Sequence, residues 1–153
     1  MRSTESSHRA LSYTDGIASG MSNVLLLVAR VLIALLFLMT AWFLSPNAGY
    51  LGSLGVPNPA FWSGVAITIE FIIVFTLILG VATRYGALLG ILYVIIATAF
   101  AHRYWECPPP QQLAQYTNFT KNLAILGGLL LVFAAGAGRF SIDRMMSSKG
   151  QMD

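Results

Sequence analysis

The sequence predicts an all-α integral membrane protein, a four-helix bundle of up-down topology. Of its 153 residues, 56% are hydrophobic and only 10% charged, whereas a soluble domain carries roughly 25% charged residues. So few ionisable groups cannot cover a water-exposed surface, and a mean hydropathy of +0.70 makes lipid the expected solvent. The third observation is spacing: four apolar windows, each about the ~20 residues that span a bilayer core, are separated by Pro-, Gly- and Asn-containing stretches.

Residues 1–22 are rich in Ser, Thr and charge without an apolar period, which predicts a mobile tail. The first span covers Asn23 to Leu44. Arg2 and Arg9 precede it as they would a secretory signal, but its apolar run is too long for one and no A-x-A site follows, so it reads as a retained anchor. Ser45 to Ala60 forms a Pro/Gly/Asn-rich loop, and the second span covers Phe61 to Ala82. Thr83 and Arg84 make a tight hinge before a third span from Tyr85 to His102. A loop with the run Cys107-Pro108-Pro109-Pro110 leads to a fourth span from Asn118 to Gly138, and 139–153 forms a second tail. The membrane domain is thus 23–138. Arg2, Arg9, Arg84, Arg139, Arg144 and Lys149 flank one side and Arg103 the other, with Lys121 at the border, which predicts both termini in the cytoplasm. The expected location is a bacterial inner membrane.

Composition also restricts function. A single cysteine, Cys107, can form neither an intrachain disulfide nor a zinc or iron-sulfur ligand set, so no metal site is expected. Two histidines, His8 and His102, argue against a haem held between helices. The dispersed basic residues lack the stripe of a nucleic-acid binder. No catalytic constellation can be assembled from the chain alone.

Charge at membrane depth costs several kcal/mol, so ionisable residues inside the spans are candidate site residues. Glu70 lies ~14 Å from the outer boundary of its span, close to mid-membrane. Arg30 lies ~10 Å from the inner boundary of the first span, near enough to pair with Glu70 or to snorkel to the interface. Asn118, Lys121 and Asn122 recur at helical spacing at the start of the fourth span, either facing inward or marking an interfacial start. His102 and Trp105 suit the outer interface, where an imidazole either hydrogen-bonds or shuttles protons. Together Arg30, Glu70, His102, Trp105, Asn118, Lys121 and Asn122 form an intramembrane polar site. Lys, Asn and His could donate to quinone carbonyls and an acid could exchange the protons, so quinone or lipid is a chemically permissible ligand. The pairs Gly64/Thr68, Thr76/Gly80 and Gly86/Gly90 predict close helix packing.

In order and spacing, several blocks over about residues 24–144 resemble the DoxX family of small four-helix membrane proteins, related to the DoxD subunit of thiosulfate:quinone oxidoreductase. They are Arg30, Leu54-Gly55-Val56-Pro57-Asn58-Pro59, Glu70, Gly80 to Arg84, His102-Arg103-Tyr104-Trp105, the run Lys121 to Gly128, and Gly136 to Asp143. The end of the first span departs from that pattern, reading Met39-Thr40-Ala41-Trp42-Phe43, which weakens any polar role there. The resemblance implies an accessory protein of a quinone-linked redox, sulfur-metabolism or oxidative-stress complex, not catalytic alone, with a redox-protein partner in a homo- or hetero-oligomer. Two alternatives stand beside it. One is a small proton-coupled transporter using Glu70, against which pairing with Arg30 would count. The other is a structural assembly or lipid-packing subunit in which Arg30 and Glu70 lock helices together.

Overall fold

A computed structural model describes residues 2–149 of the chain, and Met1 and residues 150–153 of the two tails lie outside it. Six α-helices follow in order: α1 (Arg2–Leu44), α2 (Gly49–Ser53), α3 (Pro59–Leu79), α4 (Thr83–Ala101), α5 (Pro109–Ala135) and α6 (Ile142–Lys149), with a 3-10 turn at Tyr104–Glu106 between α4 and α5. The segments Gly20–Leu44, Pro59–Leu79, Thr83–Glu106 and Pro109–Ala135 are long and apolar enough to cross a membrane. No strand occurs among the described residues.

The core follows from helical periodicity. On α1 the buried residues are Arg30, Ala34, Phe37, Ala41 and Leu44, spaced three and four apart so that they form one stripe. Ile73, Val74 and Leu77 of α3, Ala87 and Val94 of α4, and Leu129 and Val132 of α5 meet that stripe in a single cluster. Outside it the helices stay apolar: Trp42 is 82% exposed and Leu131 72%. A soluble protein would not leave such residues in water, whereas lipid solvates them without loss.

Glycine sets how closely the helices approach. A Cβ on Gly86 would stand 2.0 Å from Thr76 Oγ1, and one on Gly90 would press on Leu129 at 3.2 Å, so both serve packing as their spacing predicts. Gly64 has no neighbour within 4 Å, and Thr68 bonds back to the Gly64 carbonyl of its own helix.

Several boundaries differ from those read in the sequence. Helix α1 begins at Arg2, so the residues whose composition suggests a mobile tail are helical in backbone. The second span stops at Leu79 because Gly80 takes a left-handed φ of 65° and caps α3 onto Thr76. The prolines after Cys107 start α5 rather than interrupt the approach to it. Pro109 and Pro110 occupy the first turn, where a missing N–H has no acceptor to lose, so α5 begins nine residues ahead of the expected Asn118. The segment after α5 is not a free tail. It folds back against α1 and the α3–α4 turn before α6.

The bundle therefore has two distinct ends. The hinge end holds Arg30, Gly80, Thr83 and the Gly136–Asp143 return. The loop end holds α2, the 3-10 turn and the start of α5.

Candidate functional site

Glu70 lies halfway along α3 and is 2% exposed. Its Oε1 accepts hydrogen bonds from the Thr40 hydroxyl of α1 at 2.6 Å and from the Tyr93 hydroxyl of α4 at 2.8 Å. The carboxyl thus joins three helices at one atom. Oε2 is buried with no hydrogen-bond partner among the described residues. Phe37 holds Tyr93 in place by an edge-to-face contact with ring centroids 6.0 Å apart. Thr40 is an exposed residue, and its hydroxyl, which also lies 2.9 Å from the Phe37 carbonyl, makes part-buried contacts.

Arg30 is fully buried, but it does not reach Glu70. Its Nη2 donates to the Phe140 carbonyl, and Nη1 lies against Gly80, where an added Cβ would stand 2.1 Å away. Nε and Nη1 have no hydrogen-bond partner among the described residues. Gly80 follows Glu70 by about ten residues, which separates the two groups by ~15 Å along the bundle. The opposite charge whose field reaches Arg30 is Asp143. Asp143 in turn receives the backbone N–H groups of Ala82 at 2.7 Å and Thr83 at 3.1 Å, and donates its own N–H to the Gly80 carbonyl at 2.9 Å. One carboxylate therefore closes the α3–α4 turn, with the buried guanidinium within reach of its field but not in an ion pair with it. Neither the Arg30–Glu70 pair nor snorkelling describes the result.

The remaining candidates lie at the loop end as separate contacts. Asn122 donates to the Thr98 hydroxyl at 2.8 Å, and His102 Nδ1 lies 2.8 Å from Gln115 Oε1, so both fasten α4 to α5. Asn118 is half-buried on the same face of α5. Lys121 is exposed; the inward face runs through Asn118, Asn122, Ile125, Leu129 and Val132, and position 121 stands at its edge, about 60° from its centre. Trp105 is 56% exposed and stacks edge-on with Tyr104 and Phe119 in an interfacial aromatic group. The predicted seven-residue site therefore resolves into a Glu70 centre, an Arg30 centre and an α4–α5 seam. Thr40, Tyr93 and Asp143 are the partners that sequence reasoning missed. Thr40 gives the end of the first span a polar contact that its departure from the DoxX pattern had weakened as an expectation. The place of Thr40 beside Ala41, on the border of the stripe that contains Arg30, was the available signal. No group of three or more His, Cys, Asp or Glu side chains able to hold a metal occurs among the described residues.

A model of the SURF4 family matches residues 8–148. The chain belongs to the SURF4 family. This corrects the DoxX assignment: the blocks quoted for that resemblance are short and rich in glycine and apolar residues, and a match along nearly the whole chain outweighs them. Among proteins similar to this SURF4 member is inner membrane protein YphA of Escherichia coli K12, 32% identical over 79% of this chain and 89% of YphA. Inner membrane protein YqjF of the same organism is 32% identical over 84% of this chain and 97% of YqjF. The Surfeit locus protein 4 homolog of Drosophila melanogaster is 25% identical over 79% of this chain but only 40% of its own length. No solved structure matches. With four spanning helices and relatives of this kind, the chain is a multi-pass inner membrane protein in contact with lipid. The family match includes the Gly136–Asp143 return, so both the Arg30 and Glu70 centres fall inside the SURF4 region.

Proposed function

We propose that this SURF4-family protein binds the polar end of a lipid-soluble ligand, a quinone or a lipid, at the Glu70 centre from the bilayer side. The observation that carries this is the buried Oε2 of Glu70, without a partner among the described residues, on a carboxyl held by Thr40, itself an exposed residue at the bundle surface. An unsatisfied buried polar atom costs about 1–3 kcal/mol, more when charged, so a lock between helices would be better built without it. A ligand hydroxyl or ring N–H entering past Thr40 would satisfy that oxygen. A quinone carbonyl would instead accept a hydrogen bond from Glu70 in its protonated form, the Thr40 and Tyr93 hydroxyls being already committed to Oε1. The links to sulfur metabolism, oxidative stress and a redox-protein partner came with the DoxX resemblance and form no part of this proposal.

The test is thermal unfolding of the protein in nanodiscs with decylubiquinone as probe. Wild type should gain several degrees at saturation, while Glu70→Gln and Thr40→Val should gain little. Equal responses of wild type and Glu70→Gln, or none from either, refute quinone binding at this site.

A second reading, a proton-coupled carrier, is favoured by the separation of Arg30 from Glu70. No guanidinium fixes the carboxyl, which removes the argument that pairing would hold it in one charge state. Proton flux in proteoliposomes would decide, and flux unchanged by Glu70→Gln eliminates the carrier.

A further inference from the structure

The hinge end carries a second polar site, separate from Glu70. A cleft of about 470 Å³ opens between the first turn of α4, the Gly136–Gly138 return and α6. Arg84 and Arg144 both line it, and both are exposed. Arg84 Nη2 donates to the Ala134 carbonyl at 3.3 Å, and its guanidinium lies over Gly136, where an added Cβ would stand 3.4 Å from Nε. Gly136 is called for by its φ of 78°, and the guanidinium lies against it at ordinary van der Waals distance. Neither arginine has a carboxylate within ion-pair distance among the described residues; the single ion pair found there is Arg103–Glu106, 2.9 Å apart at the loop end.

Two further features of the wall indicate an anion. Asp143 lines the cleft, but its two oxygens are committed to the N–H groups of Ala82 and Thr83. Thr83, also in the wall, is 1% exposed and its hydroxyl has no hydrogen-bond partner among the described residues. The cleft is thus lined by two arginines, a hydroxyl without a partner among the described residues, and one carboxylate whose oxygens already accept backbone hydrogen bonds. Planar guanidinium groups match phosphate oxygens in pairs, and basic pockets between membrane helices hold phospholipid head groups. The surroundings suit a lipid source, since Tyr85 beside the cleft is 78% exposed, and Met145 and Met146 of α6 are 65% and 64% exposed. Aromatic and thioether side chains of that kind sit at the level where head group meets acyl chain.

We propose that this cleft binds a phosphate-bearing anion between Arg84 and Arg144, supplied as the head group of an anionic phospholipid. The site does not depend on Glu70 or on any ligand there.

The experiment is native mass spectrometry of the full chain released from nanodiscs containing equal phosphatidylglycerol and phosphatidylcholine, with inorganic phosphate and glycerol phosphate as soluble competitors. Wild type should retain phosphatidylglycerol in preference by roughly thirtyfold, the combined effect of two arginines at a charged surface. The Arg84→Gln/Arg144→Gln variant should lose that preference, and Arg103→Gln at the loop end should keep it. Equal retention of the two lipids by wild type, or equal loss in Arg103→Gln, overturns the proposal. Displacement by millimolar inorganic phosphate with no lipid preference rejects the lipid source and leaves a soluble phosphate site. If the double variant fails to fold, Arg84→Gln read against Arg103→Gln carries the test.

Discussion

Replacing Gly80 by alanine tests whether the C-terminal return is seated on α1 and the α3–α4 turn as described. Gly80 has a φ of 65°, and an added Cβ would stand 2.1 Å from Arg30 Nη1, 2.6 Å from Ser141 Cβ and 3.0 Å from Ser141 Cα. Holding alanine in the left-handed region costs about 1–2 kcal/mol. Two of the three clashing atoms belong to the Cα–Cβ unit of Ser141, which cannot rotate away, so the return must shift, and overpacking of that kind costs about 1–3 kcal/mol. The sum is ~2–5 kcal/mol, a fall in Tm of roughly 5–15 °C for a chain of this length. Gly127→Ala is the control, because nothing lies within 4 Å of its Cβ and alanine gains about 0.5–1 kcal/mol over glycine inside a helix. The assay is thermal unfolding in detergent followed by the fluorescence of the three tryptophans. Part of the loss should vanish in an Arg30→Met background, since the Nη1 contact is then absent. If Gly80→Ala melts within a degree of Gly127→Ala, the return does not pack against Gly80 and the account of the hinge end fails.

Exchanging the charges, Arg30→Glu with Glu70→Arg, should not rescue either single variant, because the groups lie ~15 Å apart and effects at separated sites add; a double variant as stable as wild type would show that they meet. Tyr93→Phe removes one of two donors to Glu70 Oε1 and should lower unfolding stability by about 1–3 kcal/mol, whereas Tyr85→Phe, on an exposed ring, should change it little. Asp143→Asn keeps one acceptor for the two hinge N–H groups but withdraws the charge opposite Arg30, so a loss of ~1–2 kcal/mol is expected. Protection of the Ala82 and Thr83 amides in hydrogen exchange would fall with it, and unchanged protection would remove Asp143 from that role.

The spans were legible because lipid imposes one rule on every residue of a helix, and a stretch of about 20 apolar residues satisfies it without reference to the rest of the chain. Arg30 and Glu70 were legible for the same reason, since a charged residue within such a stretch needs a specific environment. Their partners were not. Pairing them rested on depth alone, and depth does not say which helix face each occupies or that the Phe140 carbonyl and Asp143 return toward Arg30. Lys121 likewise shares its depth with Asn122 but stands at the exposed edge of the face that Asn122 occupies. The DoxX resemblance was misled by short apolar blocks of a kind that many membrane helices contain.

The sequence by itself determined the solvent, the number of spans and the residues whose placement costs free energy, because these depend on composition and on helix rise alone. Only the tertiary structure decided that Glu70 is held by Thr40 and Tyr93, that Arg30 belongs to the hinge with Gly80 and Asp143, and that Arg84 and Arg144 line one cleft. Hydrogen bonds and ion pairs act over about 3–4 Å, and the residues that make them come from helices separated by up to 110 positions in the chain. Periodicity places a side chain on a face. The packing of four helices decides what that face meets.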